Sequence, residues 1–275
     1  MKNKLSIITV NRNNAGGLNK TIDSVAAQTY AGFEFIIIDG ASEDNSPGII
    51  NDHAERLSYW ISEPDNGTYG AMNKGIRAAT GEYCLFLNSG DFLIHSGVLE
   101  DIFKQELTAD IVSGNVLKIR PNNKFRRVSS PESVSLHKLC IHSLPHQATL
   151  IKRSLFEVTG YYNESYRIVS DWEFFLKALV IHEKSYQHID MDFSYFKIGG
   201  VSSSSENFAL SREESYDCLK RFFPKMADDL MEYRLFYSSS FGQMISLLKK
   251  KRRLYDLVEN MCSMMLKSKK IIAGK

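Results

Sequence analysis

The sequence predicts an α/β fold, with a mostly parallel central sheet flanked by helices and a helical extension at the C-terminus. Over the first half of the 275-residue chain, short apolar runs typical of buried strands alternate with segments of helical spacing. Repeated β-α-β units of this kind favour parallel strands joined by right-handed crossovers. Beyond a stretch rich in Gly and Ser, the sequence becomes helical and basic. We therefore expect an α/β domain over residues 1–205 and a basic helical extension over residues 206–275.

The first strand and the first helix have the clearest patterns. Residues 5–10 form a nearly continuous apolar run, as expected for a strand that is covered on both faces. Leu18, Ile22 and Val25 then lie at positions i, i+4 and i+7. This spacing predicts a helix over residues 17–28 with one apolar face.

The rest of the first half continues the alternation. Ser46 precedes Pro47, and a serine cap before a proline at the first helical position predicts a helix from there to residue 55. Further strands are predicted at residues 33–39, 59–62, 83–87 and 110–116, and further helices at residues 69–79 and 98–105.

The second half is less regular. Residues 120–132 are polar and predict a loop, whereas residues 144–151 and 190–198 contain strand-like pieces. Residues 171–181 have the apolar spacing of a helix. Residues 199–205 read Gly-Gly-Val-Ser-Ser-Ser-Ser, which predicts a connector that acts either as a plain linker or as a lid.

The composition is that of an ordinary globular protein, 43% hydrophobic and 24% charged. A net charge of +2 gives no global electrostatic reason to expect nucleic acid as a partner. The four cysteines are scattered without metal-like spacing, as in proteins of a reducing cytoplasm. No apolar run approaches the roughly 18 residues of a membrane span, and the N-terminal run is too short for a signal peptide. We therefore expect a cytoplasmic protein.

Polar residues follow the predicted strands at the points where the strands end. In open α/β sheets, ligands bind beyond the carboxyl ends of the strands. We expect one crevice lined by the polar residues that end or follow the first four strands, namely Thr9, Asn11, Asp39, Asp65, Asn88 and Asp91.

The loop after the first strand lacks a glycine-rich phosphate motif. Residues 11–17 read Asn-Arg-Asn-Asn-Ala-Gly-Gly, which matches neither G-x-G-x-x-G nor a Walker motif. A metal ion held by a carboxylate is the simplest substitute, because it neutralises phosphate charge directly. Asp91 is the best-placed ligand, since it follows an apolar strand and a glycine that allows close backbone approach.

Several short stretches form a combination typical of one enzyme family. Residues 65–75 read Asp-Asn-Gly-Thr-Tyr-Gly-Ala-Met-Asn-Lys-Gly, and residues 86–91 read Phe-Leu-Asn-Ser-Gly-Asp. Residues 6–11 read Ser-Ile-Ile-Thr-Val-Asn, and residues 170–173 read Ser-Asp-Trp-Glu. With these motifs, residues 4–200 resemble the family 2 glycosyltransferases, which have a GT-A fold.

The resemblance implies a role for each candidate residue. One carboxylate would act as general base, a carboxylate and a histidine would hold a divalent metal ion, and polar groups would bind the donor. The base would be Asp171, the metal ligands Asp91 and His146, and the donor contacts Thr9, Asn11, Asp39, Asp65, Asn73, Lys74 and Asn88. Two positions depart from the family pattern. The D-x-D motif is reduced to Asp91, and Ser170 stands where many relatives carry Glu.

The resemblance further implies an inverting, metal-dependent sugar transfer. Mn²⁺ or Mg²⁺ would neutralise the leaving diphosphate, and Asp171 would take the proton of the attacking hydroxyl. The expected partners are a nucleoside diphosphate sugar, by default a UDP-sugar, and a saccharide or lipid-linked acceptor in cell-envelope polysaccharide synthesis. The alternatives are a sugar nucleotidyltransferase and a non-catalytic nucleotide-sugar-binding module. A nucleotidyltransferase usually has a Gly-rich loop after strand one, which this chain lacks. Asp171 counts against a non-catalytic binding module.

Structural roles stay open for the same residues. Asp39 could cap a turn, Asp91 and Asp171 could cap helices, and His146 could be a structural histidine. Lys74 could simply be a solvated residue of its helix.

The C-terminal segment contains the basic run Lys-Lys-Lys-Arg-Arg at residues 249–253, between apolar residues of helical spacing. This pattern is typical of a basic amphipathic helix on an anionic membrane. It is equally typical of a helix that packs on the main domain with a solvated charged face. Both interpretations stay open, including peripheral contact with the inner face of the cell membrane, and so does a homodimer.

Overall fold

The computed structural model describes residues 4–119, 124–197, 207–249 and 251–273. The chain divides into two compact units, Met1–Cys218 and Leu219–Lys275. The connector predicted at residues 199–205 lies outside the described residues, so its role as linker or lid stays a prediction. The predicted domain division after residue 205 also stays a prediction.

Among the described residues, the first unit is built on a nine-stranded sheet. Its strands are β1 (Leu5–Asn11), β2 (Phe33–Asp39), β3 (Tyr59–Ser62), β4 (Tyr83–Phe86), β5 (Phe92–Leu93), β6 (Ile111–Ile119), β7 (Phe125–Val128), β8 (Thr149–Lys152) and β9 (Tyr186–Lys197). The strand order is β3-β2-β1-β4-β8-β6-β9-β5, and β7 pairs with β6. Strands β3, β2, β1 and β4 are parallel, and so are β6 and β9, whereas β8, β5 and β7 pair antiparallel. The predicted α/β fold is confirmed, and the sheet of the described residues is mixed, with four parallel and four antiparallel strand pairs.

The helices follow the strands in the order that the sequence predicts, with additions in the second half. They are α1 (Ala15–Ala26), α2 (Ser46–Asp52), α3 (Gly67–Ala78), α4 (Val98–Phe103), α5 (Leu136–Ile141), α6 (Leu155–Thr159), α7 (Ser170–Leu176), α8 (Phe208–Phe222), α9 (Ala227–Ser238), α10 (Ser240–Lys249) and α11 (Arg252–Ala273). Short 3₁₀ turns lie at Ala54–Arg56 and His146–Ala148.

In the second half, the predicted loop was wrong and the predicted helix was confirmed. The loop expected over residues 120–132 contains β7, whose Arg127 is paired with Asp190 and Asp192 at 2.7 and 2.5 Å. Charged side chains interrupt the apolar pattern of this strand, which pairs antiparallel with the neighbouring β6. The helix predicted over residues 171–181 is present, as α7 up to Leu176 followed by a π-helical turn over Lys177–Ile181. Strand β5 and helices α5 and α6 have patterns too short to be predicted.

Helix α3, which carries several candidate site residues, packs closely on the sheet. A Cβ placed at Gly75 would lie 2.4 Å from Ile8 Cγ2 of β1, so only glycine allows this approach without displacing the core. On the opposite side of the sheet, the predicted apolar face of α1 is confirmed, since Leu18, Ile22 and Val25 are buried. Helices α1 and α3 thus fix the positions of the carboxyl ends of β1, β2 and β4.

The second unit contains the end of α8 and helices α9, α10 and α11. Across the described ranges, no helix combines the length and apolar character that crossing a bilayer requires. Large apolar side chains are nevertheless exposed on α10 and α11, namely Phe241, Met244, Leu247, Leu254, Leu257, Met261 and Met264.

Candidate active site

The ends of β1 and β2 meet at a buried carboxylate. Asn11 lies opposite Asp39 in the parallel register, and its Nδ2 donates to Asp39 Oδ1 at 2.7 Å. Ser42 donates from its hydroxyl to Oδ1 at 2.6 Å and from its backbone N–H to Oδ2 at 2.9 Å. Ser62 at the end of β3 donates to Oδ2 at 2.6 Å. The predicted strand-end residues Asn11 and Asp39 therefore lie together.

These hydrogen bonds determine the charge of Asp39. Burial by itself raises the pKa of the Asp39 carboxyl, but the hydrogen bonds from Ser42, Ser62 and Asn11 outweigh burial and lower the pKa below its usual value. Asp39 is therefore an anion at neutral pH. The turn formed with Ser42 is the structural role left open by the sequence, and it coexists with a position at the sheet edge.

Thr9 and Asn73 have structural contacts. The Thr9 hydroxyl donates to the Leu87 carbonyl at 2.7 Å and is fully buried, so it ties β1 to the end of β4. Asn73 Nδ2 donates to the Tyr162 carbonyl and to Glu164 Oε1, both at 2.9 Å. Donor contact by Thr9 and by Asn73 stays a prediction.

Asp65 and Lys74 form an ion pair at the start of α3. Lys74 Nζ lies 2.6 Å from Asp65 Oδ1 and 2.7 Å from Glu63 Oε1, and it donates to the Pro64 carbonyl at 3.0 Å. The alternative of a merely solvated lysine is wrong. A cavity of about 280 Å³ opens beside this pair, with Arg77 also on its wall. Asp65 and Lys74 both border this cavity, and their contact with a donor stays a prediction.

The turn after β4 holds Asn88 and Asp91. Gly90 has a φ of +102°, a left-handed conformation that favours glycine. The Thr21 hydroxyl of α1 accepts from Gly90 N–H at 3.0 Å and donates to the Asp91 carbonyl at 2.7 Å. Asp91 itself is only 5% exposed. Helix α1 therefore anchors the turn that holds the candidate metal ligand.

Asp171 lies in the first turn of α7, where three groups contact its carboxylate. Oδ1 accepts from the Tyr69 hydroxyl at 3.0 Å and from Trp172 N–H at 2.8 Å. Oδ2 lies 3.3 Å from His146 Nδ1, and His146 Nε2 lies 3.5 Å from Asn88 Nδ2. A row of contacts thus connects the candidate base to the turn that holds Asp91. The N-cap of α7 is Val169 and not Asp171.

Tyr69 is the site residue that sequence reasoning missed. Burial and the nearby Asp171 carboxylate raise the pKa of the Tyr69 phenol well above its usual value. The phenol therefore stays protonated and acts as a hydrogen-bond donor. Tyr69 lies within the motif at residues 65–75, but only the fold places it against a residue 102 positions away.

The residues near Asp91 suit a metal ion that is shared with a ligand. In the part of the chain that the structure describes, no group of three or more His, Cys, Asp or Glu side chains could hold a metal. Asn88 Oδ1 is buried and lacks a hydrogen-bond partner, close in sequence to the Asp91 carboxylate. An amide oxygen and one carboxylate are suitable ligands for Mg²⁺ or Mn²⁺ when phosphate oxygens complete the coordination. A role for His146 as a metal ligand stays a prediction.

Comparisons with known proteins agree with this architecture. The sequence model described as Glycosyl transferase family 2 matches residues 6–169. An uncharacterized glycosyltransferase of Mycobacterium tuberculosis is 36% identical over 187 residues, covering 65% of this chain and 70% of that protein. A PGL/p-HBAD biosynthesis glycosyltransferase of Mycobacterium bovis is 31% identical over 210 residues, covering 72% of this chain and 79% of that protein.

Two solved structures share the fold. S. aureus TarS 1-349 in complex with UDP-GlcNAc is 19% identical with a TM-score of 0.66, covering 92% of this chain and 78% of that chain. The mannosyltransferase PcManGT from Pyrobaculum calidifontis, in complex with GDP-Man and Mn²⁺, is 16% identical with a TM-score of 0.64, covering 97% and 81%. The predicted GT-A fold is thereby confirmed. With the family match and relatives above 30% identity, the chain belongs to glycosyltransferase family 2.

Proposed function

We propose that this glycosyltransferase inverts the anomeric carbon as it moves a sugar from a nucleoside diphosphate donor to an acceptor hydroxyl. Asp171 is the general base that removes the hydroxyl proton, which contributes about 10²–10⁴-fold to such reactions. The observation that carries the proposal is the row from Asp171 through His146 to Asn88. It connects a carboxylate for the acceptor to the turn where the leaving group would be bound.

The geometry supports a single displacement. Tyr69 and Trp172 N–H both bond Oδ1 of Asp171, so the second oxygen, Oδ2, faces His146. One base acting in a direct displacement needs no covalent sugar intermediate, in contrast to retaining glycosidases with their second carboxylate. Family membership favours sugar transfer over the nucleotidyltransferase and binding-module alternatives.

The donor is proposed to lie along the carboxyl ends of β1 to β4. Asn11 and Asp39 suit the polar groups of a base and ribose, and Asp65 with Lys74 borders the adjacent cavity. Asn88 and Asp91 would hold Mn²⁺ or Mg²⁺, which when bound supplies positive charge to the leaving diphosphate. The complexes of TarS with UDP-GlcNAc and of PcManGT with GDP-Man and Mn²⁺ support a nucleotide-sugar donor, and we propose a UDP-sugar.

The acceptor is proposed to be a saccharide or lipid-linked saccharide of the cell envelope. The role of the M. bovis relative in PGL/p-HBAD biosynthesis supports an envelope setting. We also propose that α10 and α11 contact the membrane surface peripherally from the cytoplasmic side. Their exposed apolar residues, such as Leu247 and Leu257, support this, together with the adjacent exposed cations Lys251 and Arg252.

The test combines donor selection with one substitution. A thermal-shift panel of UDP-, GDP- and dTDP-sugars, with and without Mn²⁺, selects the donor. A ligand at 100-fold its dissociation constant adds about 2.7 kcal/mol to the free energy of unfolding. Asp171→Asn should then bind that donor as the wild type does. It should transfer the sugar to an acceptor hydroxyl, with release of nucleoside diphosphate, about 10²–10⁴-fold more slowly.

The control for this test is Asp52→Asn, which neutralises an exposed carboxylate at the end of α2. It should leave both binding and turnover unchanged. Wild-type turnover by Asp171→Asn would remove that residue as the base. The absence of a shift with every nucleotide sugar, with or without Mn²⁺, would contradict the proposed donor class.

A further inference from the structure

A buried carboxylate of α8 binds the backbone just before the candidate base. Glu214 is 7% exposed. Its Oε1 accepts from Arg167 N–H at 2.6 Å, and its Oε2 accepts from Ile168 N–H at 2.9 Å and from Val169 N–H at 3.2 Å. One side chain thus satisfies three successive backbone donors in the segment that leads into α7.

These bonds are strong and directional. A carboxylate that accepts from N–H groups forms charge-assisted hydrogen bonds, which are roughly twice as strong as bonds between neutral groups. Three of them on consecutive residues fix the path of the backbone over residues 167–169. Asp171 follows two residues later, so its Cα position depends on that path.

A second contact ties the same segment to the carboxylate of the base. The Tyr69 hydroxyl lies 2.7 Å from the Ile168 carbonyl oxygen and 3.0 Å from Asp171 Oδ1. The single O–H proton of Tyr69 is shared between these two acceptors, so Tyr69 bridges the Ile168 carbonyl and the Asp171 carboxylate, while Glu214 holds Ile168 at its N–H. Next to it, the Tyr166 hydroxyl donates to Asp217 Oδ2 at 2.5 Å, which adds a second bond between α8 and this segment.

We propose that Glu214 is a positioning residue for Asp171, acting through the backbone of residues 167–169. The inference rests on the proposed function of Asp171 as the base. Glu214 lies beyond the residues that the family model matches, 6–169. The orientation of the base thus depends on a helix outside the matched region, and α8 is part of the catalytic architecture.

The proposal predicts a loss of turnover without a loss of donor binding. Misplacing a catalytic group by about 1 Å can cost roughly 10²-fold in rate. In the full chain, Glu214→Ala should lower kcat by about 10–10²-fold, while donor affinity in the thermal-shift panel changes less than about twofold. Glu214→Gln keeps one acceptor oxygen and should recover part of the rate. Glu213→Ala, an exposed glutamate of the same helix, is the control and should match the wild type.

A double-mutant cycle with Asp171→Asn separates positioning from general stability. If Glu214 acts through the base, Glu214→Ala should have less than about a twofold effect on the residual rate of Asp171→Asn, because coupled residues are not additive. An equal fold-loss in both backgrounds would overturn the proposal, and so would a Glu214→Ala rate equal to that of Glu213→Ala. Full turnover by the single variant Asp171→Asn would instead disprove the role of Asp171 as the base, and the role of Glu214 with it.

Discussion

At the scale of single residues, Asp39 and Asp171 receive hydrogen bonds from neutral donors, whereas Asp65 is paired with the Lys74 ammonium. Asp39 accepts from Asn11, Ser42 and Ser62, and Asp171 accepts from Tyr69 and a backbone N–H. At Asp39, neutral donors lower the pKa of the carboxyl without cancelling the charge of the carboxylate. Asp39 therefore adds negative charge to the sheet edge, which would favour the proposed cation between the protein and an anionic diphosphate.

The metal role of Asp91 has a direct test. Asp91→Asn removes the carboxylate charge at nearly constant side-chain volume. It should weaken donor binding in the presence of Mn²⁺ by about tenfold or more. The reason is that one pair of opposite charges in a partly buried site contributes over about 1.4 kcal/mol. In EDTA the variant and the wild type should bind alike. Calorimetric titration with the donor measures both. The control is Asp52→Asn, and equal Mn²⁺-dependent affinity of wild type and Asp91→Asn would contradict the metal role.

At the scale of secondary structure, the strand ends and α3 determine the site. Helix α3 presents Tyr69 to Asp171, Asn73 to the segment at residues 162–164 and Lys74 to Asp65. All three contacts require that α3 lie close to β1. The approach at Gly75 makes this possible.

Gly75→Ala should therefore destabilise the first unit. The added Cβ would lie 2.4 Å from Ile8 Cγ2. Overpacking of a core lowers stability by about 1–3 kcal/mol, which outweighs the helix propensity of Ala over Gly, roughly 1 kcal/mol. Gly16→Ala in α1 is the matched control. No atom lies within 4 Å of its added Cβ, so it should be neutral or stabilise by about 0.4–1 kcal/mol. Urea denaturation measures both changes, and equal midpoints would contradict the packing argument.

The strand-end part of the site could be predicted from sequence, and the contacts across the fold could not. The apolar runs ending at Asn11, Asp39 and Asn88 indicate a shared edge because parallel strands end on the same side. Tyr69 and Glu214 give no such local signal. Their partners lie 102 and 45–47 residues away, so their roles depend on tertiary packing that no short pattern encodes.

The exact boundaries of helices could not be predicted for the same reason, because they also depend on tertiary packing. Ser46 was predicted as an N-cap, but it is the first residue of α2, and the cap position is Asn45. Serine and asparagine both favour caps, and the proline at the next position is compatible with either register. The general start of the helix follows from composition, and its register follows from packing.

At the scale of the whole molecule, the chain combines a catalytic unit with a second helical unit that has a different surface. In the second unit, exposed apolar side chains recur at helical spacing on α11, at Leu254, Leu257, Met261 and Met264. The exposed cations Lys251 and Arg252 lie where α11 begins. An apolar stripe beside cations suits an anionic membrane surface, where each Lys or Arg contributes about 1 kcal/mol.

The membrane proposal predicts binding that depends on lipid charge. The full chain should sediment with vesicles containing about a third anionic lipid and less with neutral vesicles, since about 1 kcal/mol per cation is lost without surface charge. The double variant Leu247→Glu with Leu257→Glu should reduce the bound fraction severalfold. Val158→Glu places the same charge on an exposed apolar site of α6 and should bind normally. Equal sedimentation of all forms would discard the membrane contact.

The hydroxyl of Thr21 has a consequence for the energetics of ligand capture. Because it bonds both Gly90 N–H and the Asp91 carbonyl, the turn after β4 is already ordered when the protein folds. Fixing a residue's backbone costs about 1–2 kcal/mol of conformational entropy. Folding already meets this entropic cost at the turn. The ion and nucleotide proposed to bind there would not have to order it, so their binding would be stronger.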